Sequence, residues 1–248
     1  MPRVAWCADA AAVAHLVVGA LDADLVVGGA EGHHLQRVRR LRPGDAVTAA
    51  DGAGTWRPYR VAGAAAGRLV LRADGDPRRE PALEPALTVA CAITKGERPE
   101  AVVRQASELG VDAVLPVLTA RSVVRWDDAR RAAALARLRR VAREAAQQCR
   151  RARLLTIEPL APLAALAGRP GLVVADRLGG SVAALPAPGP AGWTVVVGPE
   201  GGLAADERAG LGDPPRLAVG PHVLRAETAA TAVAAALAAA RQPADHIA

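Results

Sequence analysis

The order of hydrophobic and polar positions divides the chain into two parts with different periodicities. Up to about residue 73, short apolar runs alternate with turn residues such as Pro43, Gly44 and Asp45, which is the pattern of antiparallel strands. After about residue 85, valine-rich runs alternate with stretches of helical periodicity, which predicts a parallel sheet covered by helices. The fold class is therefore predicted to be α/β, preceded by a small β-barrel.

The first part is predicted to contain four strands and one helix. The helix covers residues 31–42, because Leu35, Val38 and Leu41 recur at every third position and share one face. This arrangement leaves four arginines largely exposed, namely Arg37, Arg39, Arg40 and Arg42. The strands are predicted at residues 25–27, 46–50, 57–62 and 68–72.

A polar, proline-rich segment at residues 76–85 is predicted to be a linker. We therefore assign residues 1–75 to a β-barrel domain and residues 86–248 to an α/β domain. In the second domain, strands are predicted at residues 87–93, 113–116, 154–157, 171–175, 193–198 and 216–220. Helices are predicted at residues 99–109, 127–151, 160–167, 204–211 and 227–241.

The composition changes this picture in two respects. The 248-residue chain has no Phe, one Tyr and one Met, so alanine, valine and leucine must fill the core and the four tryptophans must supply the aromatic packing. The formal net charge of +6 has the sign expected of a protein that binds a polyanion such as RNA. The arginines of the helix predicted at 127–151 have two interpretations, a solvated face or an RNA-facing surface.

The cysteines and the apolar runs limit the class of protein. Cys7, Cys91 and Cys149 are widely spaced and form no CxxC pair, so neither a disulfide framework nor a metal site is expected. No stretch reaches the ~18 to 20 apolar residues of a membrane span, and Asp9 and Asp22 stand where a signal peptide would be apolar. We expect a cytoplasmic protein without membrane contact.

Two segments near the C-terminus, at residues 195–203 and 219–228, hold the candidate chemistry. Each combines a short apolar strand with a glycine- and proline-containing loop and a following helical stretch, and such loops bind ligands in α/β proteins. Neither is a P-loop or a dinucleotide-binding fingerprint, which disfavours phosphate binding. Because the two loops are close in sequence, they suggest one shared site.

The side chains of these loops allow more than one interpretation. Glu200 projects beside glycines that permit close backbone approach, and Arg225, Glu227 and Thr228 stand at the entry of an alanine-rich helix. Taken singly, these residues are typical of a tight strand-to-helix turn and its helix cap. Together, a cation and an anion beside glycine loops can bind a polar ligand and stabilise charge on it.

In this order at the C-terminal end, the two loops resemble those of the SPOUT class of RNA methyltransferases. The specific resemblance is to the RsmE family, which makes 3-methyluridine in 16S ribosomal RNA of the small subunit. It extends over nearly the whole chain, because further segments match the family's motifs in order. These are residues 34–45, 94–97, 108–111 and 121–125 and the region of Gln148 and Arg151.

The chain departs from the family pattern at a few positions. Ala226 replaces a threonine and His222 replaces a common arginine, while Gln105 replaces a lysine and Ala120 and Gln147 each replace a glutamate. None of these changes removes a loop glycine or Arg225. We therefore expect them to alter local contacts rather than activity.

The resemblance implies a PUA-like β-barrel that binds RNA, followed by a SPOUT methyltransferase domain whose chain forms a trefoil knot. It also implies S-adenosylmethionine as the cofactor, bound by backbone groups of the two loops, and a homodimer that completes the site. The implied cofactor-binding residues are Val197, Gly198, Pro199, Glu200, Gly201, Gly202, Val219, Gly220, Val223, Leu224 and Thr228.

The implied reaction requires that the methyl group be aligned with the uridine N3 and that this nitrogen lose its proton. Our hypothesis is that Arg225 stabilises negative charge on the uracil oxygens, while Glu227 or Glu200 takes the proton. The implied partner is 16S rRNA or the small ribosomal subunit, whose phosphates would be contacted by basic side chains. The candidates are Arg37, Arg39, Arg40, Arg42, Lys95, Arg121 and Arg151.

Three other functions compete with this one. A different SPOUT enzyme, acting on tRNA or on a ribose 2′-hydroxyl, would share the loops but is expected to lack the signature at residues 34–45. A catalytically inactive, RNA-binding ribosome assembly factor would keep the fold and need not bind the cofactor. A nucleotide-binding enzyme is disfavoured because the phosphate motifs are missing.

Overall fold

The computed structural model describes residues 6–7, 10–37, 40–65, 67–94, 98–122 and 127–241. The chain divides into two compact units. The N-terminal unit comprises Met1–Ala82 together with Arg143–Leu154, and the C-terminal unit comprises Leu83–Ala142 and Leu155–Ala248. The predicted domain boundaries did not assign residues 143–154 to the barrel.

The N-terminal unit contains a mixed sheet and one helix. In the described residues, the strand order is β1-β3-β4-β5-β2, with β6 paired to β4; the β1–β3 pair is parallel and the other pairs are antiparallel. The four predicted strands are confirmed, and β1 and β6 are additional. The strands are β1 Ala14–Val17, β2 Asp24–Val27, β3 Ala46–Ala50, β4 Thr55–Ala65, β5 Arg68–Ala73 and β6 Arg78–Arg79, and the helix is α1 Gly29–Arg37.

The core of this unit follows from the alternation along its strands. In β5, Leu69 and Leu71 are buried while Arg68 and Val70 point outward, as expected for a sheet with one solvated face. Tyr59 is fully buried, and its hydroxyl donates a hydrogen bond of 2.8 Å to the carbonyl oxygen of Asp22. The Tyr59 ring therefore packs in the apolar core of the barrel while its hydroxyl keeps a hydrogen-bond partner.

The helix of this unit is shorter than predicted. Leu35 and Leu41 of the predicted stripe are both buried, but only Leu35 lies in the helix, and Val38 lies outside the described residues. The helix ends at Arg37, and Arg40 has a φ of 53°. A residue in the left-handed region cannot continue a right-handed helix, so the predicted extension to residue 42 is wrong.

Hydrogen bonds explain why residues 143–154 belong to the N-terminal unit. The Arg150 guanidinium donates to the carbonyl oxygens of Ala10 (3.1 Å) and Ala12 (2.6 Å). The buried Glu80 carboxylate accepts from the backbone N–H groups of Cys7 (3.3 Å) and Ala152 (3.4 Å). These contacts join segments that are distant in sequence, so no local sequence pattern predicts them.

The C-terminal unit is built on a parallel sheet, as predicted. Within the described residues the strand order is β10-β8-β7-β12-β11-β13, with β9 paired to β8, and every pairing is parallel. The strands are β7 Leu87–Ala92, β8 Ala113–Leu118, β9 Thr156–Ile157, β10 Ala161–Pro162, β11 Leu172–Gly180, β12 Trp193–Val197 and β13 Arg216–Leu217. The helices are α2 Arg98–Glu108, α3 Asp128–Cys149, α4 Ala205–Gly210 and α5 Ala226–Arg241.

Both faces of this sheet are covered. Val195 and Val197 of β12 pack in a cluster with Leu138 and Leu237, whereas Val196 packs in a separate cluster with residues that include Leu203. Successive side chains of a strand point to opposite faces, so two apolar clusters require an uninterrupted valine run. This is why β12 carries no alternation of polar and apolar residues.

One predicted helix is wrong. Residues 160–167 form the two-residue strand β10 followed by a 3-10 turn at Leu163–Leu166. Pro162 has no N–H and precedes the turn, and the buried pair Leu163 and Leu166 is spaced by three, which fits a 3-10 turn as well as an α-helix. The spacing alone could not separate the two.

Candidate functional site

A pocket of about 310 Å³ lies at the carboxyl ends of β11, β12 and β13. Its walls are the loop after β12, the loop after β13, the residues around Asp176 in β11, and the first turn of α5. This edge is where open α/β sheets bind ligands, and the volume lies at the lower end of the usual range for small-molecule sites. The two loops therefore face one cavity.

The structure brings the predicted cofactor-binding residues together. Among them, Gly198, Glu200, Gly202, Gly220 and Leu224 line the pocket together with Val197, Pro199, Gly201, Val219 and Val223. Thr228 is the exception, because it is exposed on α5 and does not line the pocket. That these residues bind a cofactor stays a prediction.

Glycine is required in the loop after β12 for two different reasons. A Cβ atom at Gly198 would lie 3.2 Å from the Leu203 side chain, closer than most Cβ contacts. Gly202 has a φ of +70°, a left-handed conformation that favours glycine, and its N–H donates to the carbonyl oxygen of Pro199 at 2.7 Å. The loop can therefore turn tightly and present backbone to the cavity.

A neighbouring segment supports this loop. The Arg121 guanidinium donates a hydrogen bond to the carbonyl oxygen of Gly201. The Glu207 carboxylate accepts from the N–H of Ala120 at 2.7 Å and from the N–H of Ala204, before the start of α4, at 2.9 Å. Arg121, predicted as an RNA contact, is thus an exposed side chain attached to the first glycine loop.

The loop after β13 is more open. Val223 is 80% exposed and lines the pocket together with His222. The Arg225 side chain is exposed, does not line the pocket, and makes no hydrogen bond or ion pair with any residue in the described part of the chain. Its carbonyl oxygen accepts from the N–H of Ala229 at 2.8 Å, so its backbone is fixed directly before the first turn of α5. The guanidinium group therefore remains available for a ligand.

Arg98 connects the two candidate carboxylates. It is the first residue of α2, and its Nη1 atom forms an ion pair with Glu200 Oε1. Its Nε atom lies 3.7 Å from Glu227 Oε1. Our sequence interpretation did not include Arg98, although it directly follows the motif at residues 94–97, and that adjacency was the available signal.

The two carboxylates have different surroundings. The Glu200 side chain is 47% exposed, whereas that of Glu227 is 20% exposed. The Oε2 atom of Glu227 is buried and has no hydrogen-bond partner among the described residues. Glu227 adjoins a small, mainly apolar cavity lined by residues that include Cys91, whose thiol pKa is raised to about 12 by burial. That thiol stays protonated and is no nucleophile near neutral pH.

Asp176 is a second residue that the sequence interpretation missed. Its carboxylate lies 3.3 Å from Arg208 Nη1 and 3.7 Å from Arg216 Nη1, and both Asp176 and Arg208 line the pocket. The pairing of β11 with β13 is interrupted between Ala175 and Gly180, so Asp176 leaves the regular ladder. The interruption provides an acidic group at the pocket.

The remaining predicted RNA contacts that the structure describes all lie in the N-terminal unit. Arg40 and Arg42 are exposed, as predicted. Arg151 is half-buried, and its carbonyl oxygen accepts a hydrogen bond of 3.3 Å from His15 Nε2. Arg39, Lys95 and the side chain of Arg37 lie outside the described residues.

Two negative findings apply to the described residues. Within the ranges given above, no group of three or more His, Cys, Asp or Glu side chains is arranged to hold a metal ion. In the same part of the chain, no helix is both long and apolar enough to cross a membrane.

Comparison with known proteins identifies the family. A family model described as an RNA methyltransferase domain matches residues 82–238, and one described as an RNA methyltransferase PUA domain matches residues 27–74. The chain is 39% identical over 217 residues to proteins from Mycobacterium bovis and Mycobacterium tuberculosis named ribosomal RNA small subunit methyltransferase E. The match covers 83% of this chain and 82% of each relative.

Solved structures give the same fold. One is a ribosomal RNA small subunit methyltransferase E from Neisseria gonorrhoeae bound to S-adenosyl methionine, with a TM-score of 0.82 and 23% identity, covering 92% of this chain and 97% of that one. Another is a predicted RNA methyltransferase from Thermotoga maritima, with a TM-score of 0.70 and 26% identity, covering 92% and 99% of the two chains. The PUA-like barrel and the parallel α/β domain are thereby confirmed, and the chain belongs to the RsmE family of RNA methyltransferases.

Proposed function

We propose that this protein transfers the methyl group of S-adenosylmethionine to N3 of a specific uridine in 16S rRNA of the small ribosomal subunit. The observation that carries the proposal is the meeting of both glycine loops at one pocket, whose lining includes Glu200, with Arg98 joining Glu200 to Glu227. Family membership supports RNA methylation, and the mycobacterial relatives are named for small-subunit ribosomal RNA.

The residues of the pocket fit this cofactor chemically. Backbone groups of the two loops are accessible because glycines stand at positions 198, 201, 202 and 220, and backbone N–H and C=O groups can hydrogen-bond an adenine edge. The Asp176 carboxylate can accept hydrogen bonds from a ribose hydroxyl or an ammonium group. When bound, S-adenosylmethionine supplies a methyl group on a sulfonium whose sulfur leaves as a neutral thioether.

Residues of this chain accept the proton of uridine N3 and stabilise the negative charge on the uracil ring. Uridine N3 carries a proton, so its N–H bond must break as the new N–C bond forms and the S–C electron pair returns to sulfur. Glu227 or Glu200 takes this proton. Arg225, whose guanidinium has no partner among the described residues, binds a uracil carbonyl oxygen and stabilises the charge that develops on it.

The RNA and a second protein copy complete the proposal. Arg40 and Arg42, both exposed, contact phosphates from the barrel, together with Arg37, Arg39, Lys95, Arg121 and Arg151. We also propose the trefoil knot and the homodimer that the family resemblance implies. Leu178 and Val223, 64% and 80% exposed, supply apolar surface for a subunit contact beside the pocket. The expected compartment is the cytoplasm, where ribosomes assemble.

The decisive experiment is nucleoside analysis by mass spectrometry. Small subunits from a strain that lacks the protein would be incubated with the purified enzyme and S-adenosylmethionine. We expect 3-methyluridine to be missing from the 16S rRNA of that strain and to appear after incubation. A methylated ribose, or methylation of tRNA alone, would contradict the proposal in favour of another SPOUT activity. Cofactor binding without any methylation would favour the assembly factor.

A further inference from the structure

We infer that Arg98 is a positioning residue that is anchored by Glu200 and orients Glu227 as the proton acceptor. The inference rests on the proposed methylation of a uridine N3 and assigns one carboxylate to each of two tasks. It depends on the contacts of Arg98, on the unequal surroundings of Glu200 and Glu227, and on the origin of the three residues from three different elements.

Arg98 joins segments that are far apart in the sequence. Arg98 begins α2, Glu200 lies in the loop after β12, and Glu227 lies in the first turn of α5. One guanidinium group therefore contacts a residue of the first glycine loop and a residue of the helix that follows the second. A planar group with donors at several edges is suited to this task, whereas a lysine ammonium would be a single point of contact.

Arg98 is the cation between two carboxylates. Glu200 and Glu227 both approach Arg98, Glu200 through Nη1 and Glu227 through Nε at 3.7 Å. Without a cation between them, two carboxylates directed at the same place would repel each other. Arg98 thus allows both side chains to keep their positions while charged, and removing it should displace both.

The two carboxylates differ in their contacts with Arg98 and in their exposure. Glu200 makes a direct hydrogen bond with Arg98 and is half-exposed, so it serves as the anchor that fixes the guanidinium. Glu227 makes only the longer contact and retains a buried Oε2 atom with no partner in the described residues. Glu227 therefore has unused hydrogen-bonding capacity and is less exposed than Glu200, which suits a proton acceptor. The proton released from N3 is therefore assigned to Glu227.

A purely structural role and an RNA-binding role are the competing explanations for Arg98. A structural role would lower stability without a specific effect on the chemical step. An RNA contact would raise the KM for the small subunit and leave kcat unchanged. A positioning role lowers kcat, leaves the KM and the cofactor Kd nearly unchanged, and depends on Glu200.

The test combines kinetics with a double-mutant cycle. The variants are Arg98→Gln, Arg98→Lys, Glu200→Gln, the double variant Arg98→Gln/Glu200→Gln, and Glu227→Gln. The control is Arg104→Gln, which removes an exposed arginine from the same helix. For each protein we would measure kcat and KM on small subunits, the Kd for S-adenosylmethionine by calorimetry, and the urea midpoint of unfolding.

For Arg98→Gln we expect kcat to fall about 30-fold, with KM and Kd changed less than about threefold, and Arg98→Lys to recover part of the loss. Glu227→Gln should lose at least about 100-fold in kcat, the scale of general base catalysis. The double variant should be no slower than the slower single variant, because both changes break one interaction. Arg104→Gln should equal the wild type.

Other results would overturn the inference. These are multiplicative losses of kcat in the double variant, a loss confined to KM, or full activity of Glu227→Gln. If the wild-type protein formed no 3-methyluridine, the proposed function itself would be wrong. The urea midpoints of unfolding would then test only whether Arg98 and Glu200 interact. If the midpoint change of the double variant equalled the sum of the two single changes, that interaction would be ruled out.

Discussion

Arg98 and Glu200 form a hydrogen-bonded ion pair across 102 positions of the chain. The pair joins the start of α2 to the loop after β12 and brings a cation to the edge of the pocket. Glu227 approaches the same guanidinium group from α5. A residue that belongs to neither glycine loop therefore connects an acidic side chain of the first loop to one of the helix after the second loop, and the loops alone do not describe the site.

Arg225 is expected to act on the substrate rather than on the cofactor. Its side chain is exposed and does not line the pocket. For Arg225→Ala we predict a loss of methylation of at least about 100-fold, because a donor to a developing oxyanion is removed. The Kd for S-adenosylmethionine, measured by calorimetry, should stay within about twofold of the wild-type value. Undiminished turnover would remove Arg225 from the mechanism, and Arg104→Ala serves as the exposed-arginine control.

The barrel arginines are expected to make binding of the small subunit dependent on salt. Arg40 and Arg42 are exposed, and each phosphate contact contributes about 0.7 to 0.9 to the slope of log K against log salt concentration. We predict that reversing both charges weakens binding and lowers this slope by about one to two. The measurement is filter binding at several salt concentrations. An unchanged affinity and an unchanged salt slope would mean that Arg40 and Arg42 belong to a solvated surface that does not contact RNA.

The local features of the site could be predicted, and its long-range contacts could not. Glycine and proline mark the two loops within a few residues, and the valine runs of β12 and its neighbours mark a covered parallel sheet. Arg98 meets Glu200 and Glu227 only after the sheet has formed. β1 was missed for a related reason, because all four of its residues are buried and His15 interrupts its apolar run. A polar residue in a short buried strand removes the pattern by which strands are found.

His15 makes the N-terminal unit sensitive to acid. Burial lowers its pKa from 6.5 to about 4, and its Nδ1 lies 2.9 Å from Thr48 Oγ1. Between these two pH values, the unfolded chain therefore binds more protons than the folded protein. The contribution of neutral His15 to the free energy of unfolding is fully present above pH 6.5 and is lost as the pH falls towards about 4. The shift corresponds to about 3 kcal/mol.

We predict that His15→Gln lowers stability at pH 7 and loses much less of it between pH 6.5 and 4 than the wild type does. The measurement is the free energy of urea unfolding at four pH values. Glu80 acts in the opposite direction, because burial raises its pKa and favours the folded state at low pH. Glu80 is present in the wild type and in the His15→Gln variant, so its contribution cancels in the difference between their free energies of unfolding. Parallel pH profiles of the two proteins would contradict the assignment.

Asp176 is expected to contribute to cofactor affinity. Its side chain is 15% exposed, lines the pocket and lies near Arg208 and Arg216. The Asp176→Asn substitution keeps the shape but removes the charge, and a hydrogen bond to a charged group is worth about 1.5 to 3 kcal/mol. We predict that the Kd for S-adenosylmethionine rises about tenfold or more, while the free energy of unfolding changes by less than about 1 kcal/mol because the arginines are partly exposed.

The control for Asp176 is Asp213→Asn. Asp213 is exposed and has a φ of 50°, a conformation that asparagine tolerates, so this substitution removes the same charge without strain. It should leave the Kd for S-adenosylmethionine unchanged. Equal effects of the two substitutions would indicate a general influence of net charge, and no effect of Asp176→Asn would mean that the carboxylate only orders the interrupted strand β11. A selective loss of affinity would show that the Asp176 carboxylate contributes to cofactor binding.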